Sequence, residues 1–268
     1  MEALTFWFSW ANIKKLFTPF EIIDKSVLRT VGIFQAAILV YAWAFMVPDK
    51  GTFFPSLSAV INGWLIMWKD GLAVHITQTL SLCITATLIS IIFSCTVAYL
   101  SPIPFFRSIA VAMTKLRYNP IQGFTLFLTI QTGGGRPLQV TLLVIFMSFY
   151  FITALMSVID SIPEEDILRR KAQGMGRWRV LWRVVICDRA DYLIEVIRQN
   201  LSITFMMIVS VEAMNKAAGG LGSMLVDTSK GLNFPKIFAL QLTILFIGIG
   251  LDAALRKLFR SFPANSKR

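Results

Sequence analysis

The run VTLLVIFMSFYFITALMSVI (residues 140–159) contains no charged side chain, and it is one of several such blocks in the chain. Blocks of that length constrain the fold more than any other feature of the sequence. The hydrocarbon core of a bilayer takes roughly 20 apolar residues to cross as a helix. No water is available there for backbone N–H and C=O groups, so a single crossing segment satisfies them within itself, as an α-helix. Six segments qualify: 28–47, 75–100, 119–135, 140–159, 192–211 and 234–255. The third, NPIQGFTLFLTIQTGGG, is weaker and is reached through FFRSIAVAMTKL (105–116). The fifth carries Glu195, Arg198 and Gln199, which put its first turn at the membrane–water interface. The reading is an all-α polytopic membrane protein with about six transmembrane helices. Its composition agrees: 56% of residues are hydrophobic and 15% charged, against about 25% charged in soluble domains.

Charge orients the spans, because loops on the cytoplasmic side carry the excess of Lys and Arg. An even number of spans puts both termini on one side, together with segments 101–119 and 160–191. The opposite side keeps Lys50, Lys69, Arg136, Lys216, Lys230 and Lys236, and the remaining basic residues of the 26 fall on the first. Both termini are therefore expected in the cytoplasm, in a cell inner (cytoplasmic) membrane. The net charge of +11 is met by anionic membrane lipid at the cytoplasmic face, and no nucleic acid is required. At the N-terminus, apolar and aromatic residues precede Lys14 and Lys15, the reverse of a signal peptide. Residues 1–27 read as a cytoplasmic segment with an interfacial helix, residues 28–260 as the transmembrane domain, and residues 261–268 as a cytoplasmic tail.

Little in the chain supports catalysis. Cys83, Cys95 and Cys187 show no paired spacing. The lone His75, at the start of the second span, reads as a helix-end residue. There is no cluster with metal-ligand spacing, no nucleophile elbow and no phosphate-binding glycine loop. The expectation is a chain that is not an enzyme and holds no cofactor or metal. Any ATP its work requires is bound by another subunit.

The exception to the apolar pattern is IPEEDILRRKAQGMGRWRVLWRVVIC (162–187). Glu164, Glu165 and Asp166 open a short helix, and Arg169, Arg170 and Lys171 close it, the arrangement the helix dipole favours. Gly174 and Gly176 stop it. A second amphipathic helix follows, with Met175, Trp178, Leu181, Trp182 and Val185 at helical spacing and arginines opposite. Two readings stand side by side on these residues: a loop lying against the membrane, or a handle for a soluble partner.

This segment resembles the cytoplasmic coupling loop of permease subunits of ATP-binding-cassette (ABC) importers, where an E-A-A-x-x-x-G pattern precedes a basic amphipathic stretch. Gly174 takes the glycine position. FFPSLSAV (53–60) is similar to the F-P-S-P-x-x-V signature of the nitrate, sulfonate, taurine and bicarbonate branch. VEAMNKAAGGLGSML (211–225) resembles that branch's outer-loop Glu…Gly-Leu-Gly element, and IGIGLDAALRKLFR (247–260) its last span. The departures are specific. Leu168-Arg169-Arg170 stands in place of Glu-Ala-Ala, Ile186-Cys187 in place of a hydrophobic-proline pair, and QTGGG (131–135) in place of an aromatic-Gly element. The glycine run is expected to be flexible.

The resemblance implies the type I ABC importer permease fold and a chain that forms a translocation path for a small organic or inorganic anion. It implies a second permease copy, with a homodimer expected, an ABC ATPase subunit, and a periplasmic or lipid-anchored solute-binding protein. Coupling to the ATPase would fall to Glu165, Leu168, Arg169, Arg170, Ala172, Gly174 and Arg177. Hydroxyl and amide side chains are the natural lining for an anion path, since buried charges are costly in mid-membrane. The candidates are Thr129, Gln131, Thr132, Ser148, Tyr150, Ser202 and Thr204, with Glu212 as a gate, dimer or interface residue; for each hydroxyl the alternative is bonding between helices. Asp252 is expected to pair with Arg256 one turn on. Other classes are an ion-coupled secondary transporter, which would want ionisable residues in mid-span and internal repeats, a membrane enzyme, and a transport-inactive permease-like scaffold or sensor.

Overall fold

The computed structural model describes residues 17–19, 23–46 and 53–260. Most of the proposed N-terminal interfacial segment and the whole of the tail 261–268 lie outside the described residues. The described chain is helical, and five of its helices are long and apolar enough to cross a membrane. These are α1 (Lys25–Met46), α3 (Leu72–Leu100), α6 (Gly135–Asp160), α9 (Ala190–Met214) and α11 (Phe234–Arg260). Between them lie α2 (Leu57–Lys69), α4 (Pro104–Leu116), α5 (Ile121–Thr132), α7 (Glu164–Ala172), α8 (Arg177–Val180) and α10 (Leu221–Lys230). α8 runs on into a π-helix, Leu181–Cys187.

The third span is made differently from the single helix expected. α3 and α6 run the same way, Ser90 and Ser94 meeting Val144 and Ser148 in step, so the chain between them returns across the bundle, and it does so as two short helices. The segment 119–135 forms α5, which has 12 residues and so reaches only about 18 Å at 1.5 Å per residue. Pro120 is the reason: it has no N–H to donate and keeps Asn119 out of helical geometry. The apolar stretch from 105 to 132 is therefore two short helices, α4 and α5, both packed on α6. The glycine run is a defined turn, with Gly133, Gly134 and Gly135 at φ of 76°, 82° and 62°, a left-handed path that suits glycine. One of its carbonyls is also engaged, since Asn215 Nδ2 donates to Gly135 O at 2.7 Å.

α6 is the central helix. Its Leu142, Leu143, Phe146, Met147, Phe151 and Ile152 are all but fully buried, between α3, α4, α5 and α9. The closest partner is α3, which meets it through Ala86, Ser90, Ser94 and Ala98, each completely buried and four residues apart. Small side chains at that spacing let helix backbones approach. Ser90 and Ser94 add hydroxyl donation to the Val144 and Ser148 carbonyls at 3.5 and 3.3 Å. A second packing unit joins α2, α10 and α11 around Val60, Met67, Leu221 and Leu240. Gly63 permits it: a Cβ there would meet the Pro235 and Lys236 backbone at 3.3 Å. α1 stands to one side. It touches the bundle through Trp43, whose indole donates to Pro55 O at 3.0 Å, and it exposes Ile33, Leu39, Tyr41 and Phe45.

Candidate functional site

Three parts of the molecule carry the residues singled out by the sequence. The first is the loop between α6 and α9. Pro163 precedes α7, with Glu164, Glu165 and Asp166 in its first turn and Arg169, Arg170 and Lys171 in its last. Gly174 closes it at φ 79°, with its N–H on Lys171 O and that of Met175 on Arg170 O at 3.0 and 3.2 Å. Glu165, Leu168, Arg169, Ala172, Gly174 and Arg177 are all exposed, so one side of this short helix is open. Arg170 is different. It is half-buried and pairs with Asp188 beyond the π-helix at 3.5 Å, while Arg189 reaches Asp166 at 3.9 Å. Beneath them Ile162, Val180, Val184 and Val185 form a small core on Tyr99 and Ile159. α7 is thus tied by its ion pairs to the start of α9 and rests through Ile167 on the ends of α3 and α6.

The second part is a groove of about 640 Å³ along α9 and α11. Ser202, Ser210, Gln199 and Gln241 lie among Phe205, Met206, Ile244 and Leu245. At one end Arg198 donates to both Glu195 oxygens at 2.9 and 2.6 Å and pairs with Asp252 at 3.4 Å. Asp252 also pairs with Arg256, as its spacing predicts. Of the path candidates, Ser202 lines this groove. Thr204 and Ser148 are buried, and Ser148 Oγ donates to Val144 O at 2.5 Å. Thr129 and Thr132 donate to Thr125 O and Leu128 O of their own helix, Gln131 is exposed at the end of α5, and Tyr150 is half-buried on α6. Ser210, Gln241 and the Arg198–Asp252 link were not singled out by the sequence, although residues 199, 202, 206 and 210 recur at helical spacing and mark one face of α9.

The third part lies at the other end of α9. Glu212 is completely buried. One of its oxygens, Oε2, accepts from Thr79 Oγ1 at 2.9 Å and from Gly222 N at 3.0 Å. Thr79 Oγ1 in turn accepts from Leu221 N at 2.9 Å. A helix leaves its first N–H groups without intrahelical partners, and Gly220, before α10, has no side chain to supply one. Glu212 and Thr79 provide the cap from two other helices, with the carboxyl at the end of α10 that the dipole favours for negative charge. His75 Nδ1 lies 3.1 Å from Gly220 O, the helix-end role its position implied. Nearby, Arg136 donates to Gln78 O at 2.8 Å and Gln139 donates to Asn215 O at 2.9 Å. Lys216, in the turn ahead of α10, pairs with Asp227 on that helix and holds its carboxyl below the ordinary range.

This geometry predicts a contrast at Glu212. Glu212→Ala leaves the Gly222 N–H and the Thr79 hydroxyl without an acceptor and opens a cavity. It should cost about 2–4 kcal/mol, read as a lower thermal midpoint in detergent. Glu212→Gln keeps an acceptor oxygen and should retain most of the stability. Equal losses in the two variants would mean that the cap is not what Glu212 provides.

No protein-family model matches the sequence, and no curated protein matches it. Solved structures do. The chain is similar to one from an amino acid ABC transporter crystallised with histidines, at 15% identity and TM-score 0.59, over 74% of this chain and 95% of that one. It is also similar to a chain of the MetNI methionine ABC transporter in inward-facing conformations, at 15% identity and TM-score 0.53, over 71% and 97%. The all-helical membrane fold of this chain is the one found in those ABC transporters.

Proposed function

We propose that this chain is the transmembrane permease subunit of an ABC importer, in which two copies enclose a translocation path and an ABC ATPase supplies the motion. The observation that carries the reading is α7: a short charged helix, open on one side, tied by Arg170–Asp188 and Arg189–Asp166 to the start of α9 and resting through Ile167 on the small core at the ends of α3 and α6. A helix held in that way moves as a unit with these spans. Closure of an ATPase dimer that grips α7 then becomes a rigid-body displacement of the spans, a known route to alternating access. The membrane is the cell inner membrane, with α7 and both termini on its cytoplasmic side, and a solute-binding protein delivers substrate from the other side. ATP is bound and hydrolysed on the partner chain.

The groove along α9 and α11 is the part of the surface proposed to face the path and the second copy. Its uncharged polar groups are hydroxyls and amides, Ser202, Ser210, Gln199 and Gln241, and its two charged groups, Arg198 and Asp252, are paired with each other. Such donors suit a small nitrate-, sulfonate- or taurine-like anion, the substrate class implied by the sequence resemblance.

Reconstitution tests the reading. The chain and its ATPase should purify as two copies of each, and proteoliposomes with the binding protein should take up solute only with ATP. Uptake by the chain alone under an ion gradient would make it a secondary transporter. A stable assembly with no ATP-dependent uptake of any binding-protein cargo would make it a scaffold or sensor. Ser202→Trp, which fills the groove, should reduce uptake at least ~10-fold by blocking the path while the assembly still forms. Unchanged uptake would place the path elsewhere.

A further inference from the structure

The helix that follows α7 has an open face of its own, and Arg177, counted among the coupling residues by the resemblance, is reassigned to that face. From Arg177 to Cys187 it runs as α8 and the π-helix without a break. Val180, Val184 and Val185 are its buried side. Trp178 and Trp182, four residues apart, lie on the opposite side, because two residues along a helix is about half a turn. The two indoles are 72% and 62% exposed. Arg179 and Arg183 share the strip beside them.

The level at which this face sits is fixed by its buried side. Val180, Val184 and Val185 rest on Tyr99, Ile159 and Ile162. Tyr99 is in the last turn of α3, which closes at Leu100, and Ile159 is in the last turn of α6, which closes at Asp160. Both helices are membrane spans by length and composition. The helix therefore lies where two spans leave the hydrocarbon, the depth of lipid headgroups. Tryptophan is enriched at that depth, where its ring meets acyl chains and its N–H meets water.

The charges of this face are left over from the internal pairing. Asp188 is shared by Arg170 and Arg183 at 3.5 and 3.6 Å. Arg177 and Arg179 are in no ion pair among the described residues. A guanidinium binds phosphate oxygens through two parallel N–H bonds, which a point charge cannot do. Two free guanidinium groups beside two outward indoles, at the end of two spans, match one ligand already next to them.

We propose that residues 177–183 form a binding site for anionic phospholipid of the surrounding bilayer, with Trp178 and Trp182 seated among the headgroups and Arg177 and Arg179 on their phosphates. The site goes beyond the permease reading and does not depend on which partner α7 takes. Occupied by lipid, it clamps the far side of the coupling loop to the membrane, so that the loop and the span ends share one anchor.

The test uses the full chain in nanodiscs of phosphatidylcholine, with or without phosphatidylglycerol, and no ATPase. Acyl chains brominated near the headgroup should quench the emission that disappears in Trp178→Phe/Trp182→Phe, and phosphatidylglycerol should increase that quenching. Aqueous acrylamide should reach these two indoles poorly. Arg177→Gln/Arg179→Gln should lower the apparent affinity for phosphatidylglycerol by about 10-fold or more, with the fold retained by circular dichroism, and raised salt should weaken wild-type binding. All of these substitutions are on exposed positions. Free access of acrylamide in both lipid mixtures would overturn the proposal and leave the face to a soluble protein partner. So would equal affinity for phosphatidylglycerol in wild type and the double arginine variant.

Discussion

Gly222→Ala is expected to destabilise the protein by about 2–6 kcal/mol, the largest effect of one added methyl group among the described glycines. A Cβ at this position would lie 2.0 Å from Val209 O and 2.9 Å from Ala213 N. Both are backbone atoms of α9, so no side-chain rotation relieves the clash and α10 has to move away. Overpacking of this kind costs about 1–3 kcal/mol. The same displacement breaks the Gly222 N–H bond to Glu212, leaving a buried donor without a partner at a cost of about 1–3 kcal/mol. Gly220→Ala adds a different strain, since Gly220 sits at φ 108° and its Cβ would lie 2.2 Å from the Glu212 carboxyl. Gly123→Ala is the internal control: nothing lies within 4 Å of its Cβ, and alanine favours helices. Thermal midpoints in detergent, with monodispersity by size-exclusion chromatography, should separate the three. If Gly222→Ala is as stable as Gly123→Ala, the close crossing of α9 and α10 is not a feature of the molecule in membranes.

The Glu…Gly-Leu-Gly stretch shows how far sequence reading reached. The resemblance marked Glu212 and the glycines, but a pattern does not say that Glu212 caps α10 from another helix, or that Gly222 is where two backbones cross. Those facts depend on distances between segments far apart in the chain. The spans were legible because length and hydropathy are local properties, and so was the helix–glycine–helix of the α6–α9 loop. The division at Pro120 was present in the sequence but masked by the apolar residues on both sides of it. α2 and α10 were not anticipated, because a short amphipathic or apolar segment reads the same whether it packs on the bundle or leads into a span. Hydroxyls were the least informative. Ser148, Thr129 and Thr132 satisfy themselves on their own helix carbonyls one turn back, a bond open to any Ser or Thr in a helix. A hydroxyl in a span thus carries no signal about which face it occupies. The stripe Ala86–Ser90–Ser94–Ala98, small residues four apart that bury one helix against another, carries a clearer signal, and the sequence reading did not take it up.

Reversing Arg169 and Arg170 to glutamate is expected to reduce association with the ATPase by about 10- to 100-fold and to leave membrane insertion intact. The two positions act differently. Arg169 is exposed on α7, so its reversal changes the charge offered to the partner; each exposed pair is worth about 0.2–1 kcal/mol, and reversal replaces attraction with repulsion. Arg170 pairs with Asp188, so its reversal sets two carboxylates together and loosens the brace between α7 and the start of α9. Together the changes amount to about 1.4–2.8 kcal/mol, one to two decades in affinity. The single variants divide that loss. Arg169→Glu should weaken binding but preserve coupling in the complexes that form. Arg170→Glu should let the ATPase bind yet uncouple ATP hydrolysis from uptake, because the grip no longer reaches α9. Arg169→Ala/Arg170→Ala supplies the decisive comparison, since alanines stand here in the ATP-binding-cassette permeases that the loop resembles. If the arginines meet an acidic cleft, the alanine pair binds more weakly than wild type and the difference shrinks as salt screens it. Alanines that bind as tightly as the arginines at low salt would remove any docking role from the two guanidinium groups, and α7 would engage its partner through shape and Leu168 alone.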